Sequence, residues 1–203
     1  MTTRLTWSDM ICRGRGLLLF VILGLFLIGA PVGAARPAVS GGGHFVRVPA
    51  AAASGVARLR LDATLALDYG SFQWLQLNDA DFARLSASGL PFSADPDAGT
   101  LQVREFVFDP VYAGEPTLPA ALQTTDPGPA LRLLQFVGPI QDAWLAALRT
   151  AGLTPLQYYQ SNAFLVWGTA AQTQTIAAQP FVRWQGVFHP AYKLNADLAA
   201  RRG

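Results

Sequence analysis

The sequence predicts an α+β body made of two related units in tandem, and three observations lead to it. Short apolar runs of strand length alternate with one-faced helical stretches from Val56 to Phe188, a proline-rich break divides them, and matching segments recur on either side of that break. Of the 203 residues 51% are apolar and 14% charged, with a single Cys. That composition excludes a disordered chain, a collagen-like repeat and a disulfide-stapled mini-protein.

The elements follow in chain order. Residues 35–55, rich in Ala, Gly and Pro and containing Gly41-Gly42-Gly43, offer no repeating apolar face and read as a linker. The first unit, 56–109, opens with alternation in Ala57-Arg58-Leu59-Arg60-Leu61 and an apolar run to Leu67, both strand-like. Phe72 to Leu77 is a second strand. Asn78 then caps a helix with Asp79 and Asp81 in its first turn, Phe82 and Leu85 on one face, and Gly89 at its end. Leu90–Ser93 and Thr100–Phe108 form a hairpin around Asp95-Pro96-Asp97-Ala98-Gly99. Five prolines between residues 110 and 130 make that stretch a connector.

The second unit, 131–190, is more regular. Leu131–Val137 is an apolar strand, and Ile140, Trp144, Leu145 and Leu148 share one face of a helix closed by Gly152. Leu156–Gln160 and Ala163–Trp167 make a hairpin around Ser161-Asn162. Thr169 and Gln172 have capping-box spacing, opening a helix that must stop before Pro180, and Phe181–Phe188 is the last strand. The order βαββαβ is that of a ferredoxin-like fold. The first unit reads as its degenerate relative, a strand, helix and hairpin. Gly89 and Gly152 each close a helix, and each is followed 12 residues later by a strand, at Leu101 and at Phe164. Units this small bury too little surface to be robust alone, so function is expected at an interface.

Residues 1–34 have the layout of a secretory signal peptide: Arg13 and Arg15, the apolar stretch Leu17–Ile28, then small residues to Ala35. Secretion is the expectation, with an uncleaved N-terminal membrane anchor as the alternative. Cleavage would leave no cysteine in the mature chain, because the only one is Cys12. Arg4, Arg13, Arg15 and Asp9 precede residue 34, and the remainder carries 12 cations and 12 anions. A body of net charge near zero has no electrostatic footprint for nucleic acid, and membrane contact is expected only through an uncleaved leader.

A catalytic set is not visible. The chain has two histidines: His44 behind three glycines in the linker, and His189 before Pro190 at a strand end, with no nucleophile turn of the Gly-x-Ser-x-Gly type. Asp79/Asp81 fit a helix N-terminus and Asp95/Asp97 a turn, and neither pair continues into a calcium loop. Gly41–Gly43 lacks the Lys and Ser or Thr of a phosphate loop. No metal and no cofactor is expected. The aromatics Phe72, Trp74, Trp144, Tyr158, Tyr159, Phe164, Trp167, Phe181 and Trp184 read mainly as core, any remainder lying on a sheet face that helices leave open.

Leu133-Leu134-Gln135-Phe136-Val137-Gly138-Pro139-Ile140, Asn162-Ala163-Phe164-Leu165-Val166, Pro180-Phe181-Val182-Arg183-Trp184 and His189-Pro190-Ala191-Tyr192-Lys193-Leu194 together resemble the region that precedes the catalytic domain in secreted bacterial subtilisin-like serine peptidases. Asp68-Tyr69-Gly70-Ser71-Phe72-Gln73-Trp74-Leu75 is similar to an earlier segment of the same precursors. None of the family's catalytic stretches, Asp-Thr-Gly, His-Gly-Thr-His or Gly-Thr-Ser-Met-Ala, occurs, so no catalytic residue transfers. The resemblance implies a pro-region that assists folding of a subtilisin-like protease domain and inhibits it, supplied in cis beyond Gly203 or in trans. A free-standing secreted inhibitor or binding module is the alternative. Two docking surfaces are expected: the open sheet face, and the segment His189, Pro190, Ala191, Tyr192, Lys193 and Leu194, which is held extended by its proline and leads from the second unit into the tail 191–203.

Overall fold

The computed structural model describes residues 43–194. The expected signal peptide, the front of the expected linker and the end of the tail lie outside the described residues. Within them the chain is α+β, with four α-helices and antiparallel sheets.

The first unit begins earlier than the sequence suggests. His44–Pro49 is a strand (β1) and Ala50–Arg58 a helix (α1), where a linker and then a strand are expected. Two physical reasons account for the correction. β1 lies inside its sheet, buried on both faces through Phe45 on one side and Val46 and Val48 on the other, so it shows no clean alternation. α1 opens on Ala50-Ala51-Ala52-Ala53, strong helix formers whose small side chains leave little periodic signal; only Ala52 and Val56 are buried. The alternating Arg58-Leu59-Arg60 is the end of that helix, and Arg60 has φ 50°.

Leu65–Asp68 (β2), Phe72–Leu77 (β3), Asp79–Ala87 (α2) and Ser93–Asp95 (β4) complete the unit. The sheet order is β2-β3-β1-β4, every pair antiparallel. The first unit is thus itself a βαββαβ unit. The expected hairpin across residues 90–108 is also corrected. Ser93–Asp95 pairs with β1, while Leu101–Val103 (β5) pairs with Phe106–Phe108 (β6) across Arg104, at φ 55°. The connector holds one 3-10 turn, Ala120–Leu122, and is otherwise irregular up to residue 129.

In the second unit Ala130–Phe136 (β7), Asp142–Thr150 (α3), Thr154–Tyr159 (β8), Ala163–Gly168 (β9), Ala170–Ala177 (α4) and Val182–Val187 (β10) stand where the sequence places them, within a few residues. Gly152 takes φ 80° after α3, as Gly89 takes φ 70° after α2, a left-handed position that only glycine occupies without strain. Thr169 and Gln172 make the full capping box of α4. The turn Ser161-Asn162 has φ 59° at both residues, the geometry of the tight hairpins that match strand twist. The sheet order is β10-β7-β9-β8. Counted within each unit, both sheets therefore run fourth, first, third, second.

Each unit keeps its two helices on one sheet face. Ala52, Val56 and Leu85 pack on Val46, Val48, Leu75 and Leu77 in the first. Trp144, Leu148 and Ile176 pack on Leu134, Phe136, Val166 and Val182 in the second. The opposite face of the second sheet is not open: Leu133, Ala163 and Leu165 are covered by Leu101, Val103 and Phe108 of the hairpin and by Leu118 and Tyr192. The two units join directly, since Trp74 of β3 donates its indole N–H to the Val137 carbonyl at 3.1 Å.

Candidate functional site

The segment expected to dock as an extended peptide is folded onto the protein's own sheet. Pro190–Lys193 is a 3-10 turn with Pro190 at its start. Ala191 and Tyr192 are buried, Tyr192 wholly so, its ring edge-on to Phe106 at 5.2 Å and against Phe188 at 5.7 Å. A proline fixes φ near −65° and lacks an N–H, which suits the first residue of a helical turn as well as an extended strand. The Tyr192 hydroxyl is buried with no hydrogen-bond partner among the described residues. Burial first, and the Glu115 charge second, push its pKa up to about 12. His189 is held by the Thr124 backbone N–H, which donates to Nδ1 at 3.1 Å; Nε2 lies 3.9 Å from Glu115 Oε2. Burial raises the Glu115 pKa, against the smaller opposing effect of His189. Lys193 is exposed and Leu194 half-buried.

The strap that leaves β4 and becomes the β5–β6 hairpin is fastened to the second sheet by polar groups as well as by its apolar side chains. The Gly99 carbonyl accepts from Gln135 Nε2 at 3.1 Å and from Arg183 Nη1 at 3.0 Å, and Ser161 Oγ donates to the Asp97 carbonyl at 2.8 Å. Arg183 Nη1 also donates to Gln135 Oε1 at 2.7 Å. Sequence reasoning singles out neither Gln135 nor Arg183. The usable signal is a polar residue inside an apolar strand run, as in Leu134-Gln135-Phe136 and Val182-Arg183-Trp184.

The remaining candidates fall into place as structure. His44 is held after all: its ring stacks on Phe82 at 4.0 Å and Nε2 is 2.8 Å from Asp79 Oδ1, with no hydroxyl or thiol bonded to it among the described residues. Asp81 accepts from the Asp62 backbone N–H, from Asn78 and from Arg84, and these bonds, the first above all, hold its carboxyl below the ordinary value against the effect of burial. Asp95 closes β4 and Asp97 lies in the turn after it. Trp74 and Trp144 are core, and Phe72, Tyr159, Phe164, Phe181 and Trp184 are partly buried. Tyr158 and Trp167 are exposed.

What stays outward is an edge. β8 pairs with β9 alone, so its outer backbone row is free within the sheet, and Leu156 and Tyr158 stand more than half exposed along it. Pro155 and a register shift between Pro155 and Gln157 interrupt that row near its start, leaving Gln157–Tyr159 as the usable length.

Among the described residues no group of three or more His, Cys, Asp or Glu could hold a metal ion, and no helix is long and apolar enough to cross a membrane. Residues 98–189 match a family described as a domain of unknown function, DUF8729; the match spans the hairpin, the connector and the second unit through His189. No curated protein and no solved structure matches the chain.

Proposed function

We propose that this chain is the non-catalytic, protein-binding pro-region of an exported subtilisin-like serine peptidase, assisting the folding of the protease domain and restraining it until the two separate. The observation that carries the reading is architectural. Each unit is βαββαβ, antiparallel, with strands in the order fourth, first, third, second and both helices on one face, which supports assigning both to the ferredoxin-like class. The likeness of Leu133–Ile140, Asn162–Val166 and Pro180–Trp184 to subtilase pro-regions supplies the partner, and the leader layout of residues 1–34 supplies export.

The docking surface in this proposal differs from the two that the sequence suggests, because the second sheet's outer face is covered by the chain itself and residues 190–193 form a 3-10 turn with Ala191 and Tyr192 buried. The free edge of β8 takes their place. A protease segment adding there gains main-chain hydrogen bonds, with Leu156 and Tyr158 as side-chain contacts. Binding the folded protease better than the unfolded one stabilises the folded state by mass action.

The test is paired refolding and inhibition. The subtilisin-like domain encoded in the same reading frame or beside it is diluted from denaturant with and without this chain, and the active domain is then titrated with the chain. Higher recovered activity and saturable inhibition are expected, both weakened by Tyr158→Asp. A domain that refolds equally well alone and is not inhibited overturns the proposal, as does a genome that encodes no such domain.

A further inference from the structure

Arg132 lies on β7 inside the second sheet and is 3% exposed, yet among the described residues no carboxylate pairs with it. Buried charges are ordinarily paired, because removing an ion from water without a counter-charge is costly. Its Nε donates to the Gly168 carbonyl at 3.0 Å, and Nη2 donates to the carbonyls of Asp126 at 2.8 Å and Gly128 at 3.2 Å. These carbonyls fix the guanidinium in place without cancelling its charge. Of the five N–H groups of an arginine, the two on Nη1 are left without a partner among the described residues.

The same residue lines a solvent-open cavity of about 400 Å³ shared with His189, Thr125, Gln185, Glu115 and Asp126. The chain brings Arg132 and His189 to one corner because Arg132 pairs in register with Val187, two residues before His189. The bond from the Thr124 N–H occupies Nδ1 as an acceptor, so the neutral imidazole carries its proton on Nε2. Glu115, at 3.9 Å, is too far to accept that proton in a hydrogen bond. Two residues that line the cavity thus each carry a donor with no hydrogen-bond acceptor among the described residues, Arg132 Nη1 and His189 Nε2. Two carboxylates share the lining: Asp126, its Oδ1 accepting from the Gly128 N–H at 2.8 Å, and Glu115, whose pKa burial raises against the smaller opposing effect of His189.

We propose that this cavity is a binding site for a small oxyanion, a phosphate or a carboxylate group, held by Arg132 Nη1 and His189 Nε2 with the Thr125 hydroxyl and the Gln185 amide as further donors. Nε and Nη2 are committed to carbonyls, so the two-nitrogen fork of the guanidinium is not offered; the ligand oxygen meets one arginine nitrogen and the imidazole supplies the second contact. The site is independent of protease docking, since β8 lies at the far edge of the sheet from β10.

The experiment is a titration of the ¹⁵N-labelled chain with sodium phosphate and, separately, sodium acetate in the low millimolar range, with sodium chloride at matched ionic strength as the reference. Saturable movement of the Arg132 guanidinium and His189 Nε2 signals with phosphate, with acetate or with both, and not with chloride, is expected, and which anion saturates tells phosphate from carboxylate recognition. His189→Ala, checked by circular dichroism to retain its fold, should weaken the saturating anion by tenfold or more. Linear drift without saturation for both anions, or movement matched by chloride, overturns the proposal whatever the variant does. So does unweakened binding in a folded His189→Ala.

Discussion

Arg183 on β10 grips Asp109 at the head of the connector, its Nη2 lying 2.8 and 2.9 Å from the two carboxylate oxygens. The pair is largely shielded, with 9% of the Arg183 side chain and 21% of the Asp109 side chain exposed, and it is separated by 74 residues. It ties the strap of the first unit to the last strand of the second, where Arg183 also bonds Gln135 and the Gly99 carbonyl.

Asp109→Asn removes the carboxylate from the shielded Arg183–Asp109 pair. A loss of about 3 to 5 kcal/mol is expected, the range for removing one partner of a buried pair. Replacing both, Asp109→Leu with Arg183→Met, should recover much of it, since apolar groups of similar size often substitute for a buried pair at little cost. Urea denaturation of the three proteins checks this; a double variant no more stable than Asp109→Asn would place the worth of Arg183 in its bonds to Gly99 and Gln135 instead.

Trp144 anchors α3. It is 8% exposed, and its ring packs in a cluster with Phe136 at 5.6 Å and Phe181 at 5.5 Å, which also meet each other at 6.2 Å. Trp144→Ala should therefore cost about 3 to 5 kcal/mol through lost burial and the cavity left behind. The check is the thermal melt by circular dichroism, and an unchanged midpoint would remove α3 from the core.

How much of this was readable from sequence depended on where the signal is local. α2 and α4 were legible because Asn78 accepts from the Asp81 N–H and Thr169 exchanges bonds with Gln172, interactions confined to one turn. The β8–β9 hairpin was legible for the same reason, through Ser161-Asn162. β1 was not, because a strand with Phe45 buried on one face and Val46 on the other loses its alternation, and α1 was hidden by its alanines. The expected extended form of residues 189–194 gives way to a 3-10 turn because burial of Tyr192 is a long-range fact. Nothing within a few residues of Pro190 tells that Phe106 and Phe108, more than 80 residues earlier, will close over that ring.

Tyr192→Phe tests that core placement. Its hydroxyl is enclosed and unpartnered, so removing the oxygen while keeping the ring should leave stability unchanged or raise it by about 1 kcal/mol, whereas most buried tyrosines lose stability when their hydrogen bond is deleted. In the unaltered protein one tyrosine should ionise near pH 12 in an ultraviolet titration, later than the ordinary value of about 10, and that late step should vanish in the variant. A destabilised Tyr192→Phe would show that the hydroxyl has a partner, and a late step that survives would belong to another residue.

Asp81 sets part of the acid limit of the first unit. Its carboxyl is held below the ordinary value chiefly by the Asp62 backbone N–H, with Arg84 and Asn78 adding to it and burial opposing. The native state therefore binds its proton less readily than the unfolded chain does. The stabilisation is complete above the unfolded-state pKa of about 3.9 and is lost as pH falls through the lower native value. Asp81→Asn removes a titrating group whose bonds require the charged form, so its cost should be constant from pH 7 down to about 5 and shrink steadily below about 4. Urea midpoints of both proteins measured down that pH range decide it. Two curves that run parallel into acid would mean that Asp81 titrates alike in the folded and unfolded chain, and the bonds from Asp62, Asn78 and Arg84 would then give it no preference for the charged form.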